Sequence, residues 1–228
     1  MSGFEDREFV LLLGGLAVLL VVATIVGQVL ARRVGPAQRE TVDNANSRIK
    51  AWWLMSIAFA IAVLTGGVGS VILFSLISFL ALREFITLSP TSRSDHSALV
   101  WSFFIVTPIQ YLLVGVQWYG FFSIMIPVYA FLLVTARIVL AGDTERFLER
   151  AATIQWGLLA CVYCLSYVPA VLLLDIDGYE GENAKLLFFL VVVVQLSDVC
   201  QYLWGKLVGR RKVAPAVSPN KTWEGLIG

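Results

Sequence analysis

The chain has 228 residues, of which 58% are hydrophobic and only 14% charged, and its mean hydropathy is +0.81. Soluble domains run nearer half apolar and a quarter charged, so this composition excludes a soluble enzyme and a nucleic-acid-binding module and specifies an integral membrane protein. The net charge of +1 says nothing about partners, because in a membrane the position of each charge decides.

Phe9 to Leu30 is nearly uncharged and long enough to cross a bilayer, which takes about 20 residues. The residues before it, Glu5, Asp6, Arg7 and Glu8, are not the positive leader of a cleaved signal peptide, so a retained first span is expected. Ala31 to Lys50 carries five basic residues and reads as a partly helical interfacial segment. Ala51 to Leu82 is apolar for more than one crossing, and Gly66-Gly67-Val68-Gly69 interrupts it. Clustered glycines are costly in a helix and natural at a turn, which predicts two short spans, 51–66 and 69–83. Thr87 to Ser97, rich in Ser, Thr and Pro, reads as a loop.

Ala98 to Gly115 and Phe121 to Leu140 are the fourth and fifth predicted spans. Each contains a proline, Pro108 and Pro127, whose kink neighbouring helices must accommodate. Between them Trp118 and Tyr119 form the aromatic pair expected at a membrane–water boundary. Gly142 to Arg150 carries both signs of charge and reads as a solvated interfacial helix. Thr153 to Leu174 is the sixth span. Its Cys161 and Cys164, like Cys200, lie in apolar runs, where thiols pack as small hydrophobes rather than forming disulfides. Asp175 to Asn183 is an acidic loop, and residues 186–205 make a seventh span. His96, the only histidine, falls in a polar loop and reads as a solvated side chain.

Charge placement orients these segments. With seven spans, every Lys and Arg except Arg7 and Lys185 falls on one side, which the positive-inside rule makes cytoplasmic. The expected architecture is a single all-α polytopic membrane domain over residues 1–228, a bundle of about seven transmembrane helices with the N-terminus outside. Residues 206–228 would then face the cytoplasm, where nucleotides are.

Chemistry concentrates at the end of the chain. Asp198 sits inside an apolar span, where an ionisable group is costly and by default a functional hypothesis. Gln201, Tyr202 and Gly205 follow it at helical spacing, making one polar stripe. A carboxylate there could hold Mg²⁺, which takes one or two carboxylates plus phosphate oxygens and water; equally it could pair with Lys206 and fix helix packing. Arg210, Arg211 and Lys212 could contact phosphates or anchor the chain at the membrane surface. In Ser218-Pro219-Asn220-Lys221-Thr222-Trp223-Glu224-Gly225, Lys221 offers a point charge suited to phosphate. Glu224 is a second candidate metal ligand, and Ser218, Asn220 and Thr222 add hydrogen-bonding groups. Ser218 as N-cap and Pro219 at the first position predict a helix whose N-terminus would favour phosphate.

The S-D-x-x-Q-Y-x-x-G-K run from Ser197, followed by S-P-N-K-T-W-E-G, resembles the phosphatidate cytidylyltransferase (CDP-diacylglycerol synthase) family, as does Arg83-Glu84-Phe85. The resemblance implies a polytopic inner-membrane enzyme joining CTP to phosphatidate with Mg²⁺, releasing pyrophosphate and serving phospholipid biosynthesis. It also implies the roles of this chain's matching residues: Lys221, Asp198 and Glu224 in catalysis, with Asp198 and Glu224 at the metal. Ser218, Asn220, Thr222, Tyr202, Gly205 and Lys206 would bind substrate, and Arg210 and Arg211, outside those motifs, are read from their charge as further phosphate or headgroup contacts. The family's later S-x-x-K-R-x-x-x-x-K-D and H-G-G-x-x-D-R-x-D runs are not in this chain, so a fragment is expected. CTP, phosphatidate and membrane lipid are the implied partners, with no nucleic acid, and a homodimer is left open. Two other readings share these features: a sibling CTP-using lipid enzyme of the polyprenol kinase or CDP-archaeol synthase type, and a non-catalytic transporter or regulatory homologue.

Overall fold

The computed structural model describes residues 7–143, 145–216 and 218–228, and the chain is an all-α polytopic membrane protein. Among the described residues six helices, where seven spans are expected, are long and apolar enough to cross a bilayer: Arg7–Arg33, Thr41–Leu88, Arg93–Gly115, Tyr119–Leu140, Phe147–Leu173 and Asn183–Leu207. The chain divides into two compact units, residues 1–183 and 184–228.

In the first unit α1 spans Arg7–Arg33 and α2 spans Pro36–Leu88. Only Val34 and Gly35 separate them, so the segment expected to be a partly helical interface is helix almost throughout. The two helices run antiparallel. Asn46 donates to the Gly27 carbonyl at 3.4 Å and Trp53 Nε1 to Thr24 Oγ1 at 3.1 Å. Gly27 permits this, because a Cβ there would sit on the Asn46 side chain. At 53 residues α2 would reach about 80 Å as one rod, far beyond the roughly 30 Å of a hydrocarbon core. It breaks at Gly66, whose φ of 69° and ψ of −166° leave helical geometry in a region open to glycine. The break thus falls in the predicted glycine cluster.

The next three apolar helices are composite. α3 (His96–Trp101) passes through a π segment, Ser102–Val106, into α4 (Thr107–Gly115). α5 (Tyr119–Ile124) continues through Met125–Ala130 into α6 (Phe131–Leu140), and α7 (Phe147–Leu158) through Leu159–Tyr163 into α8 (Cys164–Leu173). Two of the π segments answer to proline. Pro108 follows the first and Pro127 lies within the second, where a missing N–H and the ring's clash with an earlier carbonyl widen the turn.

Side chains serve the carbonyls of these stretches: Thr107 Oγ1 donates to Ser102 O at 2.9 Å, Gln155 Nε2 to Ile126 O at 3.2 Å and Ser166 Oγ to Tyr163 O at 2.6 Å. The core around them is apolar and closed, with Leu82, Val106, Ile126, Ile138 and Leu158 fully buried. Gly157 lets α7 approach α2, because a Cβ there would meet the Phe85 ring at 2.8 Å.

Arg150 corrects the expectation of a solvated helix over residues 142–150. α7 starts only at Phe147, after Arg146 in a left-handed conformation, and Arg150 is buried with 7% side-chain exposure. Its guanidinium engages Asp95, itself fully buried, through Nε at 2.9 Å and Nη2 at 2.5 Å. The remaining donors reach Glu145 O at 2.9 Å, Asp143 Oδ2 at 2.8 Å and Ser94 Oγ at 2.7 Å, so all five N–H bonds of the fork are used. Asp95 in turn accepts from Ser92 N in a capping box that starts a turn at Arg93–Asp95, within the stretch expected to be plain loop. Asp143 is held below the usual carboxylate range, chiefly by the Ser94 hydroxyl and then by the Glu145 N–H. The cluster ties the segment before α3 to the segment before α7.

Breaking a buried pair from one side leaves an uncompensated charge, a loss of roughly 3–5 kcal/mol, whereas an apolar replacement of both partners is often neutral. Arg150→Met is therefore expected to lower the melting temperature in detergent sharply, and Asp95→Leu/Arg150→Met to recover most of the loss. A single variant as stable as wild type contradicts this account of the cluster.

Candidate functional site

The second unit holds the chemistry-bearing end of the chain. α9 (Asn183–Leu207) carries Asp198 and closes with Val208 N on Trp204 O at 2.9 Å. Two short strands follow, β1 (Lys212–Ala214) and β2 (Ser218–Thr222), antiparallel with Lys212 opposite Thr222 and Ala214 opposite Ser218. α10 (Trp223–Ile227) comes directly after β2.

The helix start expected at Ser218 is thus displaced. Ser218 to Thr222 is strand, and the N-cap is Thr222, whose Oγ1 accepts from Gly225 N at 3.2 Å. A two-stranded ribbon accommodates Pro219, which needs no partner for an absent N–H. Thr222 followed by Glu224 in the first turn is an equally good local start. With five residues and its cap amide engaged by Thr222, α10 offers no phosphate site at its N-terminus.

Glycines dock α10 onto the end of α9. A Cβ on Gly225 would meet Gln201 O at 2.7 Å and Gly205 Cα at 2.8 Å, and one on Gly209 would meet Thr222 Oγ1 at 2.6 Å. A Cβ on Gly205, the glycine expected to touch substrate, would stand 3.3 Å from Thr222 Oγ1 and 3.8 Å from Gly225 Cα, so Gly205 packs against the start of α10. Gly209 and the packing role of buried Thr222 went unrecognised in the sequence. Their signal was present, because Gly205-Lys206-Leu207-Val208-Gly209 is the small-x-x-x-small spacing that lets backbones approach.

The remaining expected residues spread along this frame. Asp198 lies seven residues before Gly205, or about 10 Å along the helix at roughly 1.5 Å per residue, and is exposed. Gln201 reaches back to Ser197 Oγ at 3.4 Å. Lys206 Nζ stands 5.4 Å over the Tyr202 ring, a cation–π contact that keeps both at the end of α9. Lys221 is exposed on β2 and Ser218 half-buried, while Asn220 contributes backbone to β2 and its side chain lies outside the described residues.

Glu224 is the best-defined polar group. Its Oε2 accepts from Arg210 N at 3.0 Å and Arg211 N at 3.2 Å, and Oε1 from Arg211 N at 3.3 Å. The Arg210 N–H is the largest cause of a carboxyl pKa held below the ordinary Glu value; the residue's own N–H and that of Arg211 act the same way, against partial burial. Trp223 N donates to Arg211 O at 2.9 Å, so Arg211 is held at both ends of its backbone. Among the described residues no three His, Cys, Asp or Glu gather as a metal site. Asp198 and Glu224 each carry oxygen donors of the kind Mg²⁺ takes, those of Glu224 already accepting backbone N–H bonds.

A family model described as the cytidylyltransferase family matches residues 46–228. The chain is 37% identical over 95% of its length to a protein of Escherichia coli K12 named uncharacterized protein YnbB, of which it spans 69%. It is 29% identical over 79% of its length to a phosphatidate cytidylyltransferase of Bacillus subtilis strain 168, of which it spans 65%. A phosphatidate cytidylyltransferase of Staphylococcus aureus strain COL is 34% identical over 76 residues, 29% of that protein. No solved structure matches.

The glycine contacts set a test. Gly225→Ala forces a backbone shift, since the atoms its Cβ would strike belong to Gln201 and Gly205, and overpacking of this kind costs about 1–3 kcal/mol. Amide hydrogen exchange should show β2 and α10 losing protection while α2 to α8 keep theirs. Unchanged protection at Thr222 and Gly225 contradicts the docking described.

Proposed function

This chain belongs to the cytidylyltransferase family, and from that premise we propose that it takes part in transferring a cytidylyl group from CTP to phosphatidate, giving CDP-diacylglycerol and pyrophosphate. The observation that carries the reading is the second unit. There the family-matched S-P-N-K-T-W-E-G segment is packed by Gly205, Gly209 and Gly225 against the helix that bears Asp198. The named activity of the Bacillus subtilis and Staphylococcus aureus relatives supports phosphatidate as the acceptor.

The reaction needs no protein nucleophile. A phosphate oxygen of phosphatidate attacks the α-phosphorus of CTP, the bond to the β-phosphate oxygen breaks, and pyrophosphate leaves. Positioning and charge neutralisation then dominate, as in phosphoryl transfer generally. Lys221, exposed on β2, neutralises triphosphate as a compact point charge, and Arg210 and Arg211 add two guanidinium groups with the fork geometry phosphate oxygens accept. Asp198, an ionisable group within a membrane-spanning helix, is the carboxylate we assign to Mg²⁺. When bound, the ion would screen the phosphates and stabilise the leaving pyrophosphate. The asymmetry of Lys and Arg among the loops supports a cytoplasmic position for residues 206–228 at the inner membrane, with the N-terminus outside.

Made in the full-length protein and assayed in a CTP-dependent conversion of phosphatidate, Lys221→Ala and Asp198→Asn are expected to lower turnover at least a hundredfold while the folded fraction in detergent is unchanged. Asn keeps the shape of Asp198 but not the charge a hard cation requires. Normal turnover in both variants sinks the assignment of these residues. Orientation is tested separately by single cysteines in a cysteine-free background: Ala45→Cys and Asn220→Cys should resist an external, membrane-impermeant label, and labelling of either from outside rejects the topology.

A further inference from the structure

Between Val199 and Gly228 the sequence has five basic residues and one acidic residue, Glu224. A lone carboxylate among cations would ordinarily pair with a guanidinium. Here its hydrogen bonds go to the main chain, its oxygens accepting from the N–H groups of Arg210 and Arg211 at 3.0 to 3.3 Å, while its charge also acts on the Arg211 side chain. The charged ends of Arg210, Arg211 and Lys212 stand on consecutive residues, all exposed, where mutual repulsion opposes any single conformation. Three contacts hold that stretch against the repulsion: the Glu224 carboxylate on two amides, Trp223 N on Arg211 O at 2.9 Å, and the pairing of Lys212 with Thr222. Each comes from the three residues Thr222, Trp223 and Glu224.

We propose that Glu224 is a positioning residue: by binding the Arg210 and Arg211 backbone it leaves both guanidinium groups to a phosphate-bearing substrate and presents them from a fixed segment. The assignment rests on the reading of CTP-dependent cytidylyl transfer. It goes further in giving Glu224 a role through the arginines rather than at the metal. The geometry favours it because both carboxylate oxygens accept from main-chain donors, and charge-assisted hydrogen bonds of this kind are the strong ones. Pre-ordering two rotamer-rich side chains before the ligand arrives lowers the entropy lost on binding, so the effect belongs in substrate affinity.

Glu224→Ala and Glu224→Gln, made in the full protein, separate the roles. Glu224→Ala should raise the KM of one phosphate-bearing substrate about tenfold or more with kcat within threefold of wild type. Glu224→Gln, whose carbonyl oxygen still accepts one amide, should recover most of that loss. A rise confined to CTP identifies triphosphate as the group the arginines hold, and a rise confined to phosphatidate identifies the lipid headgroup; either supports the proposal. The Mg²⁺ concentration giving half-maximal rate should be the same in all three proteins. If Glu224→Gln is as impaired as Glu224→Ala and both need more Mg²⁺, Glu224 is a metal ligand and the proposal is overturned.

Hydrogen exchange of the Arg210 and Arg211 amides reads the contact without turnover. Slow exchange in wild type that becomes fast in Glu224→Ala is expected, and if that variant does not fold, Glu224→Gln gives the comparison. Equal exchange in all proteins, or lost protection with both KM values unchanged, overturns the positioning role alone. A wild-type protein that neither binds nor converts CTP and phosphatidate overturns it together with the reading on which it rests.

Discussion

A carbonyl or N–H inside a hydrocarbon layer has no water to turn to, and each one left alone costs several kcal/mol. Much of the first unit follows from that constraint. Where the composite helices widen into π segments, Thr107, Gln155 and Ser166 donate to carbonyls there. These three polar side chains therefore serve carbonyls where the backbone departs from α geometry. The buried fork of Arg150 obeys the same rule, with every N–H matched by a carboxylate, a hydroxyl or a carbonyl.

The second unit works under a different demand. A short ribbon and a five-residue helix cannot bury enough apolar area to hold themselves, so close backbone contact and charge-assisted bonds substitute. Gly205, Gly209 and Gly225 bring α9 and α10 together, and the Glu224 carboxylate closes the loop between them. Packing and electrostatics here are coupled: the approach of α10 to α9 carries Glu224 in the same short helix as Gly225, at the adjacent residue. The residues expected to handle phosphate thus inherit their placement from residues that touch no ligand.

The apolar stretches were legible from composition, and the Gly66 break from the clustering of glycines, because both are local properties, although the two spans expected on either side of that break are parts of one helix, α2. The motifs at the end of the chain pointed to the family for the same reason. The Asp95–Arg150 pair was not legible: the partners lie 55 residues apart, and a charged stretch beside an apolar run looks identical whether it faces solvent or a buried aspartate. The start of α10 was misplaced because Ser218-Pro219 and Thr222-Trp223-Glu224 are both good local starts, and only the pairing of β2 with β1 decides between them. The hydrogen bonds of Glu224 to the Arg210 and Arg211 amides were not legible either, because backbone groups have no residue identity for a sequence to display. The π segments leave no compositional trace beyond the prolines near two of them.

Those π segments have a consequence for how the family can vary in length. A π turn accommodates one residue more than the α turn it replaces, so it behaves as a stored insertion. Deleting one residue within Leu159–Tyr163 can relax that stretch to ordinary α-helix and leave the faces of α7 and α8 where they are. The same deletion inside a continuous α stretch such as Phe131–Leu140 turns every later side chain by about 100° and moves a buried face toward lipid. Single-residue gaps among relatives should therefore collect at Ser102–Val106, Met125–Ala130 and Leu159–Tyr163, three addresses where the bundle can absorb a change in chain length without changing its core.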